Sequence, residues 1–599
     1  MTQDSIQKPE DELAQIKLTQ DYKILFRLMR YIRPYKAGVA GAVGLLILVS
    51  LMELAVPLLT QKAIDHGIAE RNYGKLAQYS GLFLLAVLLT SVLQYGEQLL
   101  VNLIGQRIMH DLAMDIFSHF QRLSLSFFNK HPVGRLVTRC TTDIQSLQEL
   151  FTSGVVAVFS DMFVIVAVVG AMFWMNWKLT LLTLIVMPFI VLGSGYFRTA
   201  IRRTYDDIRV KIARVNSFLN ENITGMKIVQ IFNAQREAMH HFRDLTEDYM
   251  KSWLKTVSYM AVFFPFIQLM GGAMVAIVLW YGGIRVLDGA LTIGVLVAFM
   301  QYVQRLIHPL HRLSEKYNIF LSAIAAAQKV FTMMDCREII PYPTDPRPVP
   351  ELRDGVEFRH VTFAYGDGPP VLRDVNLKIR KNEKVAIVGA TGAGKTTIIN
   401  LLYRFWDVSS GEILIDGTNI KDIDIHELRR HFGLVQQDVF LFSGSVLENI
   451  RLGDPSISRE RVEAAARLVN AHNFISRLPQ GYDTLIGERG TGLSTGEKQL
   501  LAFARTVALN PKIMLVLDEA TSNIDTETER LIQEGLQNLL ANRTALIIAH
   551  RLSTIRQCDK IVVVHKGQIR EMGTHDELLR MRGLYFNLYQ LQFSMVAAT

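Results

Sequence analysis

The chain predicts a helical membrane bundle followed by an α/β domain, and three observations carry that expectation. Long apolar runs fill its first half, at residues 37–60, 79–98, 151–175, 179–197, 257–286 and 290–306. A stretch with five prolines in fifteen residues, 336–350, then breaks the pattern. Beyond it, short apolar runs of strand length alternate with segments of helix length, the order of a layered α/β fold.

Each apolar run reaches or approaches the roughly 20 residues that a hydrocarbon core demands. Helix is the expected form, because hydrocarbon cannot satisfy open backbone polar groups. Half of the 599 residues are hydrophobic, the mean hydropathy is +0.20 and the net charge is +8. A basic balance fits either nucleic acid or an anionic membrane face. The apolar content selects the membrane, and no nucleic-acid partner is expected. The three cysteines, Cys140, Cys336 and Cys558, are scattered and read as packing thiols in a reducing compartment. The first fifteen residues carry Asp4, Glu10, Asp11 and Glu12, too acidic for a signal or transit peptide.

Basic residues choose the orientation. The segment after the fourth run holds Arg198, Arg202, Arg203, Arg209, Lys211 and Arg214, with further basic residues to Lys255. The segment after the second holds Arg107, Arg122, Lys130, Arg135 and Arg139, and the approach to the first holds Lys23, Arg27, Arg30, Arg33 and Lys36. All belong in the cytoplasm, which places both termini there. Residues 22–34 mix apolar and basic side chains at helical spacing and read as an interfacial elbow. Ile208, Ile212, Val215 and Leu219 keep three-four spacing, so the membrane helices should continue into the cytoplasm and turn at 131–136 and 221–226. The expected domains are an N-terminal segment at 1–36, a six-helix transmembrane domain at 37–335, a stiff proline-rich linker at 336–350, and an α/β domain at 351–599.

The chemistry lies in that last domain. Gly389-Ala390-Thr391-Gly392-Ala393-Gly394-Lys395-Thr396 fits the phosphate-loop pattern G-x-x-x-x-G-K-[ST]. A strand pattern precedes it and a helix pattern starting at Thr397 follows. The glycines let backbone N–H groups close on phosphate oxygens at a helix N-terminus, so Gly389 through Thr397 are expected at the nucleotide. Lys395 would reach the β- and γ-phosphates of ATP, and the Thr396 hydroxyl would hold Mg²⁺. Residues 513–519 form an apolar strand ending in Asp518 and Glu519. Asp518 would face Mg²⁺, and Glu519 would act as general base on the attacking water. The plainer reading of the pair, an N-cap for the next helix, is disfavoured by the loop upstream.

With these motifs in order, the chain resembles an ATP-binding cassette (ABC) exporter half, over nearly its whole length. The resemblance implies six membrane helices, extended into the cytoplasm, fused to an α/β P-loop NTPase nucleotide-binding domain. It implies that Tyr365 stacks on adenine and that Gln437 senses Mg²⁺ and the attacking water. Gly487-Glu488-Arg489-Gly490 resembles a loop that touches the membrane domain. Leu493-Ser494-Thr495-Gly496-Glu497 stands at the signature position, where Ser494 and Gly496 would meet the γ-phosphate held by a second subunit. Ser522-Asn523-Ile524-Asp525 matches the dimer-seam loop, and His550 matches the histidine that contacts the γ-phosphate. The segment around Gly134 resembles the family's first coupling turn. The implied function is ATP-hydrolysis-driven export of amphipathic small molecules, drugs or lipids, by alternating access. The implied setting is a bacterial inner membrane. An ATP-gated channel or a regulatory ATP-binding membrane protein competes, but an intact Glu519 and His550 disfavour both. A peptide exporter is a further alternative.

The signature departs from the common L-S-G-G-Q. Thr495 puts a β-branched side chain where backbone should approach phosphate, and Glu497 brings a negative charge. With the rest of the catalytic set intact, this favours a heterodimer of two half-transporters over a homodimer. Within the membrane runs, Glu53 and Asp161 would attract cationic substrates, or, on the plainer and preferred reading, make structural pairs. Phe263, Phe264, Phe266, Gln268 and Met270 flank Pro265 and would line an adaptable apolar cavity or simply face lipid.

Overall fold

Helices of unusual length dominate the first half of the computed structural model, which describes residues 18–518, 526–549 and 552–593. In chain order they are α1 (Leu18–Ile32), α2 (Lys36–Lys62), α3 (Tyr73–Arg122), α4 (Leu125–Lys130), α5 (Val133–Cys140), α6 (Thr142–Glu149), α7 (Val156–Met175), α8 (Trp177–Leu184), α9 (Met187–Thr224), α10 (Met226–Ile231), α11 (Gln235–Ile277), α12 (Gly283–Leu287) and α13 (Ile293–Met334). The 50 residues of α3 span about 75 Å at 1.5 Å per residue. A hydrocarbon core takes only about 30 Å, so this helix continues well beyond it, as do α9, α11 and α13.

Among the described residues, five helical spans are long and apolar enough to cross a membrane: Phe26–Ala69, Tyr73–Arg122, Val158–Met175, Trp177–Thr224 and Gln235–Leu287. The sixth predicted run falls on the shorter apolar opening of α13, Ile293–Ile307. Only 11% of the apolar window of α3 is buried in protein, and Leu84, Leu85, Leu88 and Val92 lie exposed. Such a surface is a liability in water and what a lipid solvent requires.

The bundle core is built from Met172 of α7, Leu179 of α8, Met274 of α11, and Phe299, Tyr302 and Leu306 of α13. Tyr302 is fully buried and its hydroxyl donates to the Leu54 carbonyl at 2.7 Å. That carbonyl lies one turn before Pro57, which sits inside the continuous helix α2. Tyr302→Phe removes this hydrogen bond between α13 and α2. The expected result is a loss of about 1 kcal/mol, read as a lower thermal unfolding midpoint in detergent.

Several expectations change in detail. The elbow is α1, held by Arg27 paired with Asp335 at 2.6 Å and by hydrogen bonds from Tyr31 to Asp115 and from Tyr35 to Asp111. The turn expected at 131–136 is mostly helix. Pro132 is extended, and α5 begins at Val133. The turn expected at 221–226 is a single kink at Gly225 between α9 and α10, around which Ile223, Ile228 and Phe232 are exposed.

The domain boundary also moves. The chain divides into one unit reaching Gln121 and resuming over Pro132–Cys336, and a second made of Arg122–His131 and the chain from Arg337. Short α4 belongs to the second unit because Ser124 N donates to Glu338 O at 2.8 Å and Lys130 pairs with Glu338. The proline-rich stretch, expected as a linker, packs onto the second unit instead. Arg347 N donates to Asp422 O, Tyr342 bonds Asp424, and buried Arg404 donates to Pro341 O at 2.8 Å. Proline keeps this segment extended, and the extended backbone leaves its carbonyls open to those partners.

The second unit has two main sheets. The strands are β1 (Gly355–Phe363), β2 (Leu372–Arg380), β3 (Lys384–Val388), β4 (Ser410–Ile415), β5 (Thr418–Asn419), β6 (Phe432–Val435), β7 (Gly444–Ser445), β8 (Leu485–Ile486), β9 (Met514–Asp518), β10 (Ala545–Ile548), β11 (Lys560–His565) and β12 (Gln568–Gly573). The order β2-β1-β4-β5 is antiparallel, whereas β12-β11-β3-β10-β9-β6 is parallel from β11 to β6. The central strands β3, β10 and β9 run apolar because both their faces are buried, between a cluster that includes Leu441, Leu500 and Ile547 and one that includes Val385, Ile398 and Leu546. Helices α14 (Lys395–Leu402), α15 (Ile425–Arg430), α16 (Val446–Arg451), α17 (Arg459–Leu468), α18 (His472–Ile475), α19 (Thr495–Leu509), α20 (Thr526–Leu540), α21 (Leu552–Arg556), α22 (His575–Met581) and α23 (Leu584–Phe593) complete it.

Candidate functional site

Strand register assembles the nucleotide site. Ile548 of β10 pairs with Ile387 of β3 on one side and with Asp518 of β9 on the other. The carboxyl ends of the three strands therefore line one edge, which is where open α/β sheets bind ligands. Val435 of β6 pairs with Leu517, so Gln437 leaves the same edge two residues later, exposed. Asp518 is half-buried at the end of β9. Glu519, Ser522, Asn523, Ile524, Asp525 and His550 lie outside the described residues.

The phosphate loop joins β3 to α14. Gly389 has φ +159° and Gly394 φ +105°. A Cβ on Gly389 would sit 2.2 Å from the Val564 carbonyl oxygen, and one on Gly394 would sit 2.7 Å from Leu372 Cδ2. Only glycine allows this close path, and the path turns the loop back over the strand end. Ala390, Thr391 and Gly392 are exposed at its rim, while buried Ala393 accepts from Gly567 N at 3.1 Å. Lys395 is 8% exposed. Its Nζ donates to the carbonyls of Gly389 (2.8 Å) and Ala390 (3.1 Å), which holds the ammonium inside the loop. Burial pushes its pKa below the usual lysine value, and the Asp518 charge opposes that shift. A buried cation in a glycine-rich loop at a helix N-terminus fits a polyphosphate. The Thr396 hydroxyl is exposed beside it.

Thr397, expected at the nucleotide, is buried and turns its hydroxyl to the Tyr365 hydroxyl at 3.2 Å. Asn400 donates to the same phenol at 3.4 Å, and Trp406 meets the Tyr365 ring edge-on at 5.2 Å. These three residues hold the aromatic platform. No motif spacing marks Asn400 or Trp406, so the sequence did not single them out.

The signature opens α19. Ser494 is its N-cap and Glu497 its third residue, and they form a reciprocal capping box. Glu497 Oε2 accepts from Ser494 N at 2.8 Å and from Ser494 Oγ at 2.9 Å. The carboxylate that brings the negative charge is therefore tied into the helix start. Thr495 is exposed and disturbs no packing, whereas Gly496 is buried. A Cβ on Gly496 would lie 2.2 Å from Thr528 Cγ2, so α20 can approach only because that position is glycine. In the loop before it, Arg489 holds φ +54° and its carbonyl accepts from Lys498 Nζ.

In the membrane unit, Glu53 makes the structural pair that was preferred. It accepts from Gln94 at 3.0 Å and faces Arg305 at 3.9 Å. Asp161 is 2% exposed. Phe264 and Gln268 do line a cavity of about 530 Å³ between α11 and α13. Phe263, Phe266 and Met270 pack against the bundle core instead.

A membrane-spanning helical bundle joined to a phosphate-loop domain defines an ATP-driven transporter. The description "ABC transporter transmembrane region" matches residues 39–310, and "ABC transporter" matches residues 372–522. An "ATP-dependent lipid A-core flippase" of Syntrophus aciditrophicus (strain SB) is 38% identical over 96% of this chain and 95% of its own length. A Staphylococcus aureus (strain NCTC 8325 / PS 47) protein, provisionally named a multidrug export ATP-binding/permease protein, is 37% identical over 94% of this chain and 99% of its own. The structure of a bacterial Atm1-family ABC exporter with ATP bound superimposes with a TM-score of 0.73 at 29% identity, covering 93% of this chain and 98% of that one. The chain belongs to the ABC transporter family as an exporter half-transporter, an ATPase coupled to transport across a membrane.

Proposed function

We propose that this half-transporter dimerises and exports amphipathic small molecules, lipids or drugs, out of a bacterial inner membrane, with both termini cytoplasmic. The observation that carries the reading is the apolar cavity of about 530 Å³ inside the membrane unit, lined by Phe264, Ile267, Val275 and Ile307 with Gln268 and Gln304 at its polar margin. It is large enough for part of a lipid-sized molecule and mixed in polarity as an amphipath requires. The names of the relatives point to the same class. A fluorescent amphipath should accumulate in inside-out vesicles only when ATP is supplied. Equal accumulation without ATP would contradict the reading and support a gated channel.

The roles at the nucleotide are those that the motifs imply. Tyr365 stacks on adenine. The N–H groups of residues 389–397 receive the phosphates, with Lys395 at the β- and γ-phosphates. Thr396, Gln437 and Asp518 form an oxygen-rich set suited to Mg²⁺, which supplies charge neutralisation when bound. Glu519 takes the proton from water, and His550 stabilises charge on the γ-phosphate. Ser494 and Gly496 complete the site of the opposite subunit.

The capping box bears on the partner. Glu497 occupies the Ser494 N–H and hydroxyl, the donors that would serve a phosphate, so this signature makes a weak half-site. That favours a second, different half-transporter as partner. The chain alone should hydrolyse ATP slowly. Glu497→Gln, whose neutral amide holds those donors less tightly, should raise turnover about tenfold. A fast homodimer indifferent to Glu497→Gln would contradict the heterodimer.

A further inference from the structure

A second cavity of about 300 Å³ adjoins the apolar one, lined by Val56, Phe83, Gln301, Gln304 and Arg305. Gln304 lines both. The large compartment is apolar apart from its two glutamines. The small one carries the single charged side chain that lines either cavity among the described residues. Arg305 lies within the apolar opening of α13, where an arginine costs free energy unless it is paired or used. Its described partner is Glu53 at 3.9 Å, beyond hydrogen-bond distance, and one oxygen of that carboxylate already accepts from Gln94. Glu97 lies within electrostatic range of Glu53, but neither carboxylate lines a cavity. The guanidinium therefore reaches the cavity with donors to spare, in a setting that strengthens hydrogen bonds to charged groups.

We infer that the two cavities form one binding site for an anionic amphipath: the apolar part lies against Phe264, Ile267 and Val275, and a phosphate or carboxylate head meets Arg305 and Gln304. This rests on the export reading above and narrows it. It also reverses the charge that intramembrane Glu53 and Asp161 imply from sequence alone. Glu53 serves as the counter-ion that keeps the empty site close to neutral, and an anionic head competes for the guanidinium that it faces.

The cavity has a built-in control. A Cβ on Gly272, which lines the apolar compartment, would meet nothing within 4 Å. Gly272→Leu should therefore fill that compartment without disturbing helix packing.

The test uses full-length protein in nanodiscs, with its partner half if one is required, and reads stimulation of ATP hydrolysis by three probes sharing a twelve-carbon tail: dodecyl phosphate, dodecyl maltoside and dodecyltrimethylammonium. The parent should be half-stimulated by dodecyl phosphate at a concentration about tenfold below that for dodecyl maltoside. Arg305→Gln should erase this difference, Arg305→Lys should keep part of it, and Gly272→Leu should weaken the response to every probe. If Arg305→Gln leaves the order of the probes unchanged, or the cationic probe acts at the lowest concentration in the parent, the charge assignment is overturned while amphipath export stands. If no probe stimulates and Gly272→Leu behaves as the parent, the export reading itself is overturned.

Discussion

Lys395→Met protein should hydrolyse ATP at least about 100-fold more slowly than the parent. The methionine matches the lysine stem in bulk, so the buried path through the loop stays filled. What disappears is the ammonium, with its bonds to the Gly389 and Ala390 carbonyls. Two effects add. The loop loses the tie that holds those carbonyls inward, and the transferring phosphoryl group loses a positive charge fixed in place before reaction. Lys395→Arg should fail nearly as badly, because a planar fork cannot point between two carbonyls 2.8 and 3.1 Å from one nitrogen. Steady-state hydrolysis, beside fluorescent-nucleotide binding, separates lost chemistry from lost affinity. Parental turnover in Lys395→Met would remove the phosphate loop from the mechanism.

The second large effect is at Gly496. Gly496→Val should cost the nucleotide-binding unit about 1–3 kcal/mol and abolish measurable turnover. The first carbon added at Gly496 would already overlap Thr528 Cγ2 at 2.2 Å, so α20 must move off α19. Both effects have one origin, and a compensating change tests it. Thr528→Ser removes the methyl that would be struck and keeps the hydroxyl. The pair Gly496→Ala with Thr528→Ser should recover most of the stability that Gly496→Ala alone loses. Recovery of stability without turnover would show that Gly496 also serves the phosphate of the opposite subunit. Failure to recover stability would contradict the packing argument.

These two sites show how far the sequence could be read. The phosphate loop was legible because phosphate binding fixes its own local geometry: a strand, glycines at positive φ, a lysine and a helix start within a dozen residues. The signature was legible in position, but its capping box was missed. Ser494 and Glu497 stand at the spacing of a capping box, a helix-start signal that local sequence does contain, yet Glu497 was read only for the negative charge it brings. The partner of the Thr397 hydroxyl, the Tyr365 hydroxyl, lies thirty-two residues away. Nothing in the sequence near either residue announces that bond.

The membrane half divides in the same way. Apolar length revealed the spans, because a bilayer imposes its thickness on each helix separately. The pairing of Glu53 with Gln94 and Arg305 was hidden, since it depends on how α2, α3 and α13 pack. The proline-rich stretch was rightly read as extended. Its docking onto Arg404 and Asp422 depends on the surface of a unit not yet built at the level of sequence.

The account claims that ATP hydrolysis in the nucleotide-binding unit drives movement of an amphipath through the helical bundle. Transport in proteoliposomes by Glu519→Gln protein, followed with a fluorescent amphipath against its gradient, tests that claim most directly. The account predicts ATP binding at near-parental affinity with transport at least about 100-fold slower. Uphill transport at the parental rate would contradict it.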